Sequence, residues 1–178
     1  LSATDFQYES DLTKASVKNF SATDQNNFTI THIEGDLKMD EHSITTNKLK
    51  AATPYSTVDA DFNIQFPSLT TLVDSMQFNT LSLDLRNLSF RNSDLLYFSP
   101  DLVEQPFFKN GMNVTTASGM VNGALDNLSG KNWVFKTGAN TTVKTDFTIK
   151  GLPNYETAFF DFPNLTVISG QKDLIMMA

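Results

Sequence analysis

The sequence predicts an all-β, antiparallel fold. Three observations carry that prediction: period-two alternation along most of the chain, turn residues between the alternating runs, and very little helical pattern. Residues 17–23 form a first, weaker strand, followed by Phe28 and Ile30 in one apolar register. Ile33, Gly35, Leu37 and Met39 then alternate with Glu34, Asp36, Lys38 and Asp40, so the phase slips near His32, as a bulge or a sheet edge requires. After a weaker strand at 44–49, the clearest run places Val58, Ala60, Phe62, Ile64 and Phe66 on one face and Asp59, Asp61, Asn63 and Gln65 on the other. Pro67 opens a short turn over 68–74, and Leu81, Leu83 and Leu85 alternate with Ser82, Asp84 and Arg86. A short helix is expected from a Ser93 cap and Asp94 in its first turn to just before Pro100.

Strands at 112–125 and 133–137 follow, with Asn110-Gly111, Asn127-Leu128-Ser129-Gly130 and Thr137-Gly138-Ala139-Asn140 as turn punctuation. Val143, Thr145, Phe147 and Ile149 then alternate with Thr142, Lys144, Asp146, Thr148 and Lys150. Pro153 rules out a continuing central strand, since it lacks the ladder N–H. Beyond it, Phe160 and Phe162 share a side opposite Asp161. They are expected to turn inward, with Phe159 at an edge or against a helix turn and Leu165 opening the last strand over 165–168. Each long strand therefore has one dry and one wet face. Such a sheet can close on itself, pack on a second sheet or curl around a dry interior; alternation does not choose among them.

The 178 residues are about the length of one domain, with 13 basic and 20 acidic side chains and a formal net charge of -7. The lysines are scattered, which argues against a nucleic-acid partner needing a basic stripe. There is no cysteine, hence no disulfide, thiol or zinc–thiolate chemistry. The chain opens at Leu1 without a signal-peptide pattern and ends just after an apolar segment, as expected of a piece of a longer protein.

No catalytic constellation emerges. His32 and His42 lie outside any HExxH arrangement, and Glu34 and Asp40 do not complete a metal set. Asp59 and Asp61 share the wet face of one strand, where solubility accounts for them better than glycosidase chemistry does. Ser129-Gly130-Lys131 lacks a phosphate-loop approach, 119–123 is no dinucleotide fingerprint, and no GxSxG elbow occurs. Seven Asn-x-Ser/Thr triplets begin at Asn19, Asn27, Asn87, Asn113, Asn127, Asn140 and Asn164. An Asn/Thr-rich β protein generates such triplets by chance. No enzyme, cofactor or metal is expected.

In order along the chain, Ile33-Glu34-Gly35-Asp36-Leu37-Lys38-Met39, then 44–62, then Leu83-Asp84-Leu85 with 94–102, then 117–128 and 145–153, resemble the AsmA/TamB superfamily of bacterial cell-envelope proteins. The match looks closest to the TamB-like translocation and assembly proteins of Bacteroidetes. The glycine–leucine motifs are individually weak, and their order carries the resemblance. It implies a curled or groove-like sheet of the β-taco type with one or two short helices, in the periplasmic portion of an inner-membrane-anchored protein whose anchor lies outside this chain. It also implies division into a β-segment over 1–150 and a closing crossover with the start of the next β-segment over 151–178. The implied role is non-enzymatic: an apolar groove for phospholipid transfer between inner and outer membrane, or support of outer-membrane protein assembly. Phospholipid acyl chains and an outer-membrane assembly protein are then the expected partners. The groove candidates are Val58, Phe62, Ile64, Leu81, Leu83, Leu85, Val143, Phe147 and Ile149. The competing expectation is a surface or periplasmic β-sandwich that binds glycan or protein, with Trp133, Tyr55 and Tyr155 available for stacking.

Overall fold

A computed structural model describes residues 2–9, 12–70, 72, 78–152, 154 and 156–177. Parts of the expected 68–74 turn, and Pro153 and Tyr155, lie outside the described residues. Six strands come first: β1 (Ser2–Glu9), β2 (Leu12–Thr23), β3 (Thr29–Asp40), β4 (Ser43–Ala52), β5 (Thr57–Gln65) and β6 (Thr80–Arg91). A helical interlude follows, with α1 (Asn92–Phe98), a 3-10 turn (Pro100–Glu104) and α2 (Pro106–Lys109). The chain returns to the sheet as β7 (Val114–Ala124), β8 (Asn127–Thr137) and β9 (Thr141–Lys150), and finishes with β10 (Phe159–Asp161), β11 (Thr166–Ile168) and α3 (Gln171–Met177).

All of these strands lie in one antiparallel sheet in sequence order, β1 to β10, with β11 also paired to β9. The all-β antiparallel prediction with a few short helices therefore holds. The shape expected from the resemblance does not. Among the described residues no strand pairing brings β1 back to the β9–β11 side, and the sheet is open and uncurled. Its dry side is one surface of a single layer, not the lining of a trough. The resemblance misled here, and alternation offered no check, because a trough and an open sheet share the same period-two code.

Local chemistry shifts several expected boundaries. The slip near His32 is a bulge, since Ile33 pairs Phe20 while Ile30 pairs Ala22. Asn127 to Gly130 are strand rather than turn, because Leu125 and Asp126 make the reversal. Helix α1 starts at Asn92, one residue before the expected Ser93 cap, and Arg91 holds the cap position. The buried Asn92 side chain explains this: its Nδ2 donates to the carbonyls of Phe107 (2.9 Å) and Asn110 (3.1 Å), bracing α1 against α2.

The free edge of β9 is finished by two short pieces. β10 pairs residues 148–150 and β11 pairs 142–144. Between them stand Pro163, which has no N–H, and Asn164 at φ 58. Such interruption blunts a sheet edge. Phe159, Phe160 and Phe162 are 59%, 46% and 46% exposed, so the rings expected to turn inward remain half in solvent.

Candidate functional site

Cross-strand pairing converts the alternation into four rows on one face. The first runs Phe20–Ile33–Ala51–Val58–Leu88–Ala117–Phe135–Val143–Val167. The third passes through Leu37, Thr46, Phe62, Leu83, Val121, Gly130 and Phe147. The fourth passes through Met39, Ile44, Ile64, Leu81, Gly123, Leu128, Ile149 and Phe160. Between the first and the third lies an irregular second row, holding Ala60, Leu85 and Gly119 in register.

All nine groove candidates fall on this face: Val58 and Val143 in the first row, Leu85 in the second, Phe62, Leu83 and Phe147 in the third, Ile64, Leu81 and Ile149 in the fourth. Only Leu85 among them is fully buried. The buried apolar cluster is small, comprising Ala60, Leu85, Ala117, Val121, Leu128 and Trp133. Trp133 lies over Gly119, stacks on Phe135 at 5.2 Å and donates from Nε1 to the Met120 carbonyl at 2.8 Å. Phe147 covers Gly130 in the same way. The accessible surface of 11109 Å² exceeds the roughly 8,600 Å² of a compact protein of this mass.

The second row is irregular because β2, β4, β6 and β8 each carry an extra residue there. The residues at these bulges are Lys18-Asn19, Asn47-Lys48, Arg86-Asn87 and Lys131-Asn132. A cation beside an asparagine thus recurs on every second strand, a signal readable in the sequence but not recognised there. Lys48 and Asn132 take φ of 54 and 55, and each backbone N–H donates to a carboxylate of the next strand, Asp61 and Asp146 respectively. Arg86 bridges Asp59 and Asp61 (2.6 and 2.8 Å). Glu34 meets Lys50 at 2.9 Å and His32 at 3.4 Å.

These contacts fix the electrostatics of the wet face. The Arg86 guanidinium, then the Lys48 N–H, hold the Asp61 carboxyl below the usual carboxylate range. Lys50 does the same to Glu34, and the Asn132 N–H, then Lys131, to Asp146. Asp40 is lowered to about 2, chiefly by the His42 N–H and the Ser43 hydroxyl. Every one of these shifts favours the ionised form, whereas a general acid needs the opposite. The Asp59–Asp61 pair is bridged by the one Arg86 guanidinium. Among the described residues no group of three or more His, Asp or Glu is placed to hold a metal, and no helix is long and apolar enough to cross a membrane.

Two corrections to the functional expectations follow. An open, uncurled sheet has no enclosed apolar groove, so the phospholipid-transfer and assembly role inferred from a trough is not supported. The competing β-sandwich glycan binder is weakened as well. The described strands form one sheet, Trp133 is only 8% exposed, and Tyr55, though 54% exposed, has one ring face covered by the Arg91 guanidinium, 3.7 Å from the ring centroid. Tyr155 is outside the described residues.

The sequence reading also missed the role of α1. Thr53 and Ser56 of the β4–β5 loop donate to Asp94, and the Tyr97 hydroxyl donates to Asp24 of the β2–β3 loop. Phe28 stacks on Tyr97 at 4.5 Å and meets Phe98 edge-on at 4.9 Å. One short helix therefore pins two hairpin loops across the end of the sheet. No family model matches the chain, and no curated protein or solved structure matches it either.

Proposed function

We propose that this chain is a non-catalytic structural module that works by packing its dry face against a second β-sheet, supplied most simply by another copy of itself. The observation that carries the reading is the set of apolar rows crossing from β2 to β10 and β11, most of whose side chains are only half buried around a small sealed cluster. Sheets with such a face bury it against another sheet about 10 Å away, with interdigitating side chains. The roughly 2,500 Å² of surface per chain beyond that of a compact monomer supports the same reading, since two copies together carry about 5,000 Å², the upper part of the roughly 2,000–5,000 Å² that stable homodimer interfaces bury in total. The blunted β10–β11 edge disfavours strand addition on that side of the sheet.

Sedimentation velocity over a range of concentrations tests this. A dimer that is lost on Phe62→Lys, with the strand signature in circular dichroism retained, is the expected result. A wild-type chain that stays monomeric to about 100 μM overturns self-packing as the mode of action.

A further inference from the structure

At the end covered by α1 the dry face carries a pocket of about 230 Å³, open to solvent on one side, between the first apolar row and the aromatic ring of Phe98. Ile33, Ala51, Val58 and Leu88, neighbours in that row, form its floor, and Phe28 and Phe98 stand over it. Thr53, Ser56 and Thr57 also line it, but no polar surface is exposed to it. We infer that this pocket is a binding site for a small, uncharged, single-ring hydrophobic ligand.

Three features support the assignment, and none depends on the sheet-packing role proposed above. First, the void has a cause in the sequence. The row that crosses the pocket holds Ile33, Val58 and Leu88, and alanine stands at 51, under the roof. A larger residue there would have sealed the end. Second, the roof is anchored on both sides. The hydroxyl-to-Asp94 contacts fix it to the β4–β5 loop, and Tyr97 with Asp24 and Asn26 fixes it to the β2–β3 loop. The space is therefore framed by hydrogen bonds and ring contacts rather than left by loose packing. Third, size and polarity select the ligand class. An apolar cavity of about 150 Å³ holds benzene, so this one admits a substituted ring. A charged group seated against the floor would lose part of its hydration and meet no exposed polar surface in return. A two-chain phospholipid is too large. The ring of Phe98, 67% exposed, stands at the mouth.

Methyl-resolved NMR titration with toluene and p-xylene tests the assignment, with benzoate as the charged control. Saturable shifts and intermolecular NOEs at the Ile33, Val58 and Leu88 methyls are expected, without matching changes at Leu81 or Ile149 in the fourth row. Benzoate should bind at least tenfold more weakly, and Ala51→Phe, which fills the floor, should weaken toluene at least tenfold. The inference is overturned if those methyls show no saturable shift up to the probes' solubility. Equal shifts at Leu81 and Ile149, meaning unselective partition onto the dry face, or undiminished binding in a folded Ala51→Phe variant, would also overturn it. If that variant does not fold, the wild-type NOEs decide, their presence supporting the site and their absence refuting it.

Discussion

The contact between Trp133 and Gly119 can be isolated by a double-mutant cycle. A Cβ built on Gly119 would stand 2.7 Å from Cδ2 of the Trp133 ring, and Gly119 has φ +150. Gly119→Ala therefore meets two separate penalties. Overpacking against the indole costs about 1–3 kcal/mol, and holding an L-residue in that backbone conformation costs about 1–3 kcal/mol. Trp133→Ala removes a ring that is 8% exposed and stacked on Phe135, which costs about 3–5 kcal/mol. In the double variant the steric penalty vanishes and only the backbone penalty remains. The two changes should therefore be less than additive, by about 1–3 kcal/mol. Urea unfolding of all four proteins at one fixed concentration measures the coupling. Additivity within about 0.5 kcal/mol would show that the indole does not occupy the space over Gly119, and the account of the irregular row would fail.

Three further outcomes are expected. Thr46 is 6% exposed in the third apolar row and its hydroxyl has no partner, so Thr46→Val should raise stability by about 1 kcal/mol in the same urea assay. Asp173 in α3 accepts the backbone N–H groups of Asn140 (2.7 Å) and Ala139 (3.1 Å), which hold its carboxyl below the usual carboxylate range. Because its native pKa is depressed, this anchor is complete above that range and is lost as pH falls through the lowered native value. Hydrogen exchange at Ala139 and Asn140 should thus be faster in Asp173→Asn at neutral pH, and acidification should bring the wild type toward the variant. Arg86 is about one-third exposed, so Arg86→Met should cost no more than about 1 kcal/mol despite its two ion pairs, and 1 M salt should remove most of that loss.

What the sequence disclosed depended on which physical signal was local. The run from Val58 to Phe66 fixed β5 because each side chain's face follows directly from its position. The slip near His32 was visible for the same reason. Whether β1 meets β10 is a property of the whole strand order and of the twist between strands, and no short run records it. The turn assigned to Asn127–Gly130 failed because Asn, Ser and Gly there serve the sheet. Gly130 lies under the Phe147 ring, where any Cβ would stand 2.2 Å from a ring atom. Ala51 and Phe98 gave no warning of the pocket, since their meeting is set by α1 and not by any spacing along the chain.

The repeated cation–asparagine bulge explains how so thin a sheet keeps a single register. A one-residue slip would exchange its dry and wet faces, and with only a small buried cluster the apolar penalty for slipping is modest. At the β4 and β8 bulges, however, a slip would also remove an N–H from its carboxylate: Lys48 from Asp61, and Asn132 from Asp146. It would separate Arg86 from Asp59 and Asp61 as well. The wet face therefore specifies alignment that a half-buried dry face defines only weakly, and the dry face is left free to retain exposed apolar side chains. A sheet stabilised only through its core would have to seal that face. This one is registered from its solvent side, which is the physical condition for presenting an apolar surface to a second sheet without losing its own fold.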